Sequence, residues 1–214
     1  MTKCRPIIMS SDSVRAILDG RKTQTRRVVN EQPENLYPVV TVEFLEGRKG
    51  WRYRYSDPDR KHSGGSGFLM KCSFGAPGDR LWVREAFWLR QWSDNFKNIQ
   101  VAYDRPAERT KYILADKGES FEEFLTKRKF SNGWQNPMFM PRWASRLTLE
   151  ITNVRCERVQ KIALNDVWDE GYKTITDFKE AWDALNGKRK GCSWNDNPWV
   201  FVLEFKKIEG GDNE

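Results

Sequence analysis

Apolar positions along this chain follow two different periods, and the changes of period mark out its elements. Pro6 to Met9 is a short apolar run that predicts a strand. Ser10-Ser11-Asp12-Ser13 then offers several N-cap oxygens, and Val14, Ile17 and Leu18 follow at helical spacing. Gly20 is placed to end that helix in a left-handed conformation. Lys22 to Val29 (KTQTRRVV) predicts a second strand, rich in β-branched residues and long bases. The C-terminal third is the clearest. Leu147 to Val154 alternates apolar and polar, as a half-buried strand does. Asn165 to Gly171 predicts a short helix capped by Gly171. Thr176 to Leu185 predicts another, with Phe178, Ala181, Trp182 and Leu185 on one face. Pro198 to Phe205 closes as a buried strand.

Between these ends the pattern is weaker. Val39 to Leu45 and Trp51 to Tyr55 can pair as a hairpin across residues 46–50, and DPDRKHSGGSG has linker composition. Pro77-Gly78-Asp79 predicts a turn, and Arg80 to Glu85 a strand with apolar residues on alternate positions. Val101 to Tyr103 is a weak strand candidate. The polar interval 105–136 carries one helical segment, near Phe121 to Lys129, and EGGDNE at the end predicts fraying. Short strands dominate and helices sit at both ends. An α+β fold follows, a small antiparallel β-barrel with flanking helices and a decorated insertion.

Composition narrows the function. The 214 residues are 38% hydrophobic and 31% charged, with a mean hydropathy of −0.77. Twelve Phe, six Tyr and ten Trp supply the large apolar area that a core needs. The net charge of +7 favours polyanionic partners, and the first 30 residues hold seven bases against two acids. No run approaches the roughly 20 apolar residues of a membrane helix, and MTKCRPIIMSSDS has too short an apolar core for a secretory signal. The cytoplasm is the expected compartment. Four scattered cysteines and a single histidine, His62, give no zinc-ligand spacing, so no metal is expected. Any Ser-His-Asp or Cys-His chemistry would have to run through His62, which lies in the linker-like stretch and reads as an exposed loop residue.

Three places carry candidate chemistry. The first is Gly20 to Arg27. On a strand, Thr23, Thr25 and Arg27 share one face and Lys22, Gln24 and Arg26 the other, and a bulge could bring Lys22 round to Thr25. Such a strand is either a solvated basic edge or an anion or nucleobase site. The second place interleaves Arg with Trp, in Arg80 to Glu85 and in Met140 to Arg146. Guanidinium and indole faces stack on bases, but Trp82 and Trp143 also suit a core, with Arg flanks reaching water. Trp82, alternating with charged neighbours, reads as core. The third is Glu170 beside Gly171, where a lone glutamate is ordinarily a surface residue.

The order GRKTQTRR, PGDRLWVRE, MPRWASRLTLEITNVR, DEGY and NPWVFVLEF resembles the ASCH domain, most of all its bacteriophage and prophage branch, within the PUA-like superfamily of β-barrels. The resemblance covers residues 5–29, 72–92 and 138–208, leaving insertions near 30–70 and 105–136 in one domain over 1–214. It implies an RNA- or nucleobase-handling protein. Some small ASCH proteins are amidohydrolases that remove the acyl group from N4-acylated cytidines, using a Lys and a Thr of the GRKTxT motif and a Glu just after the barrel. By position these fall on Lys22, Thr25 and Glu170, and the family's following arginine on Arg27. Another ASCH protein is linked to RNA cleavage, so a binding module and an endoribonuclease stand beside the hydrolase. The implied catalytic set is Lys22, Thr25 and Glu170, without metal or cofactor. Arg26, Arg27, Arg84, Glu85, Arg142, Trp143 and Arg146 are the expected contacts to a pyrimidine nucleoside or single-stranded RNA, lining one cleft. A phage-encoded protein of this kind would act in the host cytoplasm, and oligomeric state is not legible.

Overall fold

The computed structural model describes residues 2–30, 32, 39–45, 50–55, 69–91, 98–103, 110–114, 121–127, 129–130 and 133–208. In chain order its elements are β1 (Cys4–Ile8), α1 (Ser11–Leu18), β2 (Gln24–Val28), β3 (Val39–Leu45), β4 (Gly50–Tyr55), β5 (Leu69–Met70) and β6 (Arg80–Arg84). Then come β7 (Phe87–Gln91), β8 (Asn98–Ala102), β9 (Thr110–Leu114), α2 (Phe121–Lys127), β10 (Trp134–Gln135), β11 (Thr148–Arg158), α3 (Leu164–Asp169), α4 (Ile175–Asn186) and β12 (Trp199–Lys207). Sheets with few helices make this a mixed α+β protein, and no closed barrel is formed among the described residues. No described helix is long and apolar enough to cross a membrane.

The chain forms two compact units. The first comprises Met1–Lys3, Asp19–Asp79 and Glu150–Lys206. Here β12 lies between β11 and β2, with Phe201 opposite Arg27 and Leu203 opposite Thr25 in an antiparallel register. One face of this sheet buries Val200 and Val202 with Val159, Ile162, Val167, Phe178 and Trp182, joining the strands to α3 and α4. Burying such side chains yields about 1.5–3 kcal/mol each, the main force holding α3 in place. Helix α4 starts at a capping box: the Thr174 hydroxyl accepts from the Asp177 amide at 3.1 Å, and the Asp177 carboxylate accepts from the Thr174 amide at 3.1 Å. The expected hairpin is present, with β3 antiparallel to β4, and a short third strand, β5, extends it.

The second unit comprises Cys4–Leu18, Arg80–Leu149 and Lys207–Glu214. Its β1 runs parallel to β6, with Ile7 opposite Val83. This is the one parallel pair among the described registers, which are otherwise antiparallel, in line with a mostly antiparallel expectation. Parallel neighbours need a long crossover, and the chain between residues 8 and 80 supplies it. Helix α1 follows β1 as its spacing predicts, with Ser10 Oγ accepting from the Ser13 amide at 3.2 Å. A four-stranded sheet in the order β10-β7-β8-β9 carries the second core, Phe87, Leu89, Val101, Tyr103, Leu125, Met140 and Ala144. Three of these four strands escaped the sequence pattern, and β8 was only a weak candidate at 101–103. His62, the linker-like stretch and residues 209–214 lie outside the described residues.

Candidate functional site

Everything at the first candidate site lies in the first unit, and it starts from how α3 ends. Gly171 takes φ +88, the Gly171 amide donates to Trp168 O at 2.8 Å, and the Tyr172 amide donates to Val167 O at 3.0 Å. That double closure is the Schellman motif, and it fixes Glu170 as the C-cap of the helix. Gly20, at φ +75, turns the chain out of α1 toward β2. Lys22 then forms an isolated antiparallel bridge with Glu170, and the Thr23 amide donates to Asp169 O at 2.8 Å. Thr23 Oγ1 donates to Asp169 Oδ1 at 3.1 Å. Two sequence-remote segments are thus stitched by backbone, and the side chains follow.

Lys22 Nζ donates to Glu170 Oε2 at 2.7 Å and to the Glu170 carbonyl at 2.6 Å. The two side chains are 3% and 4% exposed, so the pair is removed from water. The carbonyl is a final carbonyl of α3, where the helix dipole favours a cation. Burial pulls the Lys22 ammonium below the ordinary lysine value, Glu170 pushes back, and the positive charges of Arg27 and Arg26 add to the lowering. Glu170 is therefore no surface residue, against the ordinary expectation for a lone glutamate.

Thr25 is buried on β2 opposite Leu203. Its hydroxyl makes no hydrogen bond to Lys22 or Glu170 and takes no partner among the described residues. Alternation along β2 puts Thr25 on the same face as Arg27. The Arg27 guanidinium lies 5.9 Å from the Phe74 ring centroid. Burial lowers its pKa, opposed by the charge of Glu170, so Arg27 is electrostatically coupled to the pair. The structure thus joins Lys22 to Glu170 directly and Arg27 to them through space. It does not hydrogen-bond Thr25 to either.

Arg26 departs from its expected place at the substrate. Its side chain is 0% exposed, with Nη1 donating to Glu170 Oε1 at 3.3 Å and Nη2 to Glu157 Oε1 and Asp166 Oδ2 at 2.8 Å each. A guanidinium gripped by three carboxylates is not available to an incoming anion. The same cluster holds groups that the sequence reading passed over. Arg155 donates to Asp166 at 2.8 Å, to Glu157 at 3.3 Å and to Glu204. Gln24 Nε2 donates to Asp166 Oδ1 at 2.9 Å. Burial raises the Asp166 pKa, but hydrogen bonds from Gln24 and the charges of Arg26 and Arg155 outweigh it and hold the carboxyl at about 2. The alternation of Arg155 and Glu157 along β11 was the available signal.

The remaining expected contacts belong to the second unit. Glu85, 1% exposed, receives both Arg146 Nε and Nη2 at 2.8 Å, and Arg146 also lies 4.3 Å from the Tyr103 ring centroid. This bidentate pair is internal, so neither residue offers its charge to a ligand as expected. Trp82 is buried as its alternation implied, with Arg84 stacked 4.5 Å from its ring centroid and donating to Met138 O at 3.1 Å. Trp143 is partly buried against the second core, and Arg142 is exposed. No group of three or more His, Cys, Asp or Glu among the described residues is arranged to hold a metal ion. Burial raises the Cys156 thiol to about 12, with Cys72 and Glu157 adding to the rise, so Cys156 is no thiolate near neutral pH.

Comparison with known proteins returned no relative: no family model, no curated protein and no solved structure matches the chain.

Proposed function

We propose that this chain is an ASCH protein of the PUA-like barrel superfamily and hydrolyses N4-acylated cytidine or a related nucleoside in the cytoplasm. The motif order supports the family. The observation that carries the activity is the buried, 2.7 Å contact between Lys22 and Glu170. Amide hydrolysis needs a proton acceptor for the attacking hydroxyl and a donor for the leaving amine. A lysine lowered by burial, bonded to a carboxyl, can hold one proton between them as a neutral pair. In that state the Lys22 amine accepts the proton of the attacking water, and the Glu170 carboxyl gives its proton to the departing cytidine N4. The products are the free acid and the amine, and the pair is left as ammonium and carboxylate. Transfer of one proton along the same hydrogen bond resets it.

Arg27, coupled to the pair, steadies the oxyanion that develops on the acyl carbonyl. The Thr25 hydroxyl serves either as a binding group or as an acyl acceptor ahead of water. Purified protein incubated with N4-acetylcytidine releases cytidine and acetate under this reading. A labelled single-stranded RNA in a parallel tube separates the alternatives. RNA fragments without deacylation would favour an endoribonuclease, and RNA binding with neither product a recognition module.

A further inference from the structure

We infer that Arg26 is the positioning residue of the Lys22–Glu170 pair: its guanidinium grips Glu170 Oε1 and so keeps Oε2 turned toward Lys22. The inference rests on reading that pair as the reacting groups. Its geometric basis is the fork. One end of the guanidinium meets Glu170 on α3 at 3.3 Å, and the other is locked by Glu157 on β11 and Asp166 on α3 at 2.8 Å. Those two carboxylates are themselves tied to Arg155, which holds the far end of the fork in place. From α4 the Phe178 ring centroid lies 6.0 Å from the guanidinium. A carboxylate held at both oxygens, by Arg26 on one and Lys22 on the other, cannot rotate about its terminal torsion. A planar, always-charged group with donors in fixed directions is required, so lysine at this position cannot replace it.

The same arrangement sets the charge around Lys22. The groups acting on Lys22 are Glu170 at the end of α3 and Arg26 and Arg27 on β2. Those meeting Arg26 are Glu157, Asp166 and Glu170. Replacing Arg26 by an uncharged residue removes one of the cations that disfavour the ammonium of Lys22, and frees Glu170 to swing.

The test uses the full chain labelled with 13C at lysine Cε, with Lys22→Met to assign the Lys22 signal. In Arg26→Gln a Glu170 that swings away withdraws the stronger influence on Lys22, so the Lys22 signal titrates at lower pH than in the unsubstituted protein. In both Arg26→Gln and Arg26→Lys, kcat for N4-acetylcytidine falls about 100-fold, as expected for a misplaced reacting group. KM stays within about threefold. Glu157→Gln, which loosens the fork while leaving Arg26 in place, shifts kcat the same way by a smaller factor and covers the case in which Arg26 variants do not fold. A rise in KM with kcat unchanged would make Arg26 a substrate ligand and overturn the inference. So would an unmoved Lys22 titration in a folded Arg26→Gln protein. Because the titration is read without substrate, absence of deacylation in the unsubstituted protein would defeat the proposed activity while leaving this measurement decisive for Arg26.

Discussion

Lys22 and Glu170 stand 148 residues apart in sequence, yet the lysine ammonium reaches both the carboxylate and the main-chain carbonyl of the glutamate within 2.7 Å. Two charges taken out of water at this depth stabilise only when each is fully partnered. Glu170 has a second cation in Arg26, whereas among the described residues the partner of the Lys22 side chain is Glu170. The two ends of the pair are therefore unequal.

That inequality sets the effect of truncation. Glu170→Ala strands a buried ammonium and costs about 3–5 kcal/mol. Lys22→Met leaves the glutamate with Arg26 and costs less, about 1–2 kcal/mol. Urea unfolding of the three proteins checks the order, and equal losses would contradict it.

Acid stability reports on Asp166. Its carboxyl titrates at about 2 in the fold against an ordinary 3.8, because Gln24, Arg26 and Arg155 prevail over burial. The folded value is depressed, so this stabilisation is complete above the unfolded pKa and is lost as pH falls from about 4 toward about 2. Its size is on the order of 1–2 kcal/mol. Asp166→Asn flattens that part of a melting-temperature profile between pH 2 and 6, and an unchanged profile would refute the assignment.

The elements at the two ends of the chain were legible because local signals agreed there. Ser10 as a cap, Gly20 and Gly171 at positive φ, and the near-continuous apolar run from Trp199 to Phe205 each specify one structure. Strand β7 was not legible, since the strand pattern stopped at Glu85 and no turn signal marked a new strand at Phe87 to Gln91. Its identity comes from cross-strand partners such as Val101 opposite Leu89. At the site, Lys22 and Glu170 were nameable only through motif order. Their contact depends on where α3 packs, which no short-range pattern states. Arg26 shows the opposite failure. A basic strand looked available to substrate, but Asp166 and Glu157, distant in sequence, consume its charge.

Catalysis should follow the Lys22 titration. Burial lowers the pKa of this lysine, so its amine form grows as pH rises through a value below the ordinary 10.5. Deprotonation removes the one proton that the reacting pair holds, so the rate of cytidine release falls with pH along a limb centred below that value. A rate independent of pH from 6 to 10 would remove Lys22 from the base role.

In the second unit, the Glu85–Arg146 pair is structural. Glu85→Ala leaves a mostly buried guanidinium without its bidentate partner and costs about 3–5 kcal/mol. Glu85→Gln keeps the shape and part of the hydrogen bonding and costs less. Neither change alters the KM for N4-acetylcytidine by more than about threefold. A large KM effect in a protein of normal stability would return the pair to the ligand site.

The most direct measurement is cytidine release from N4-acetylcytidine by the unsubstituted protein beside Lys22→Met and Glu170→Gln, each first shown to be folded by its thermal melt. The unsubstituted protein releases cytidine and both variants lose about 100-fold or more of that rate, since each removes one half of the proton-transfer pair. Release that persists at the original rate in either folded variant would contradict the hydrolase reading.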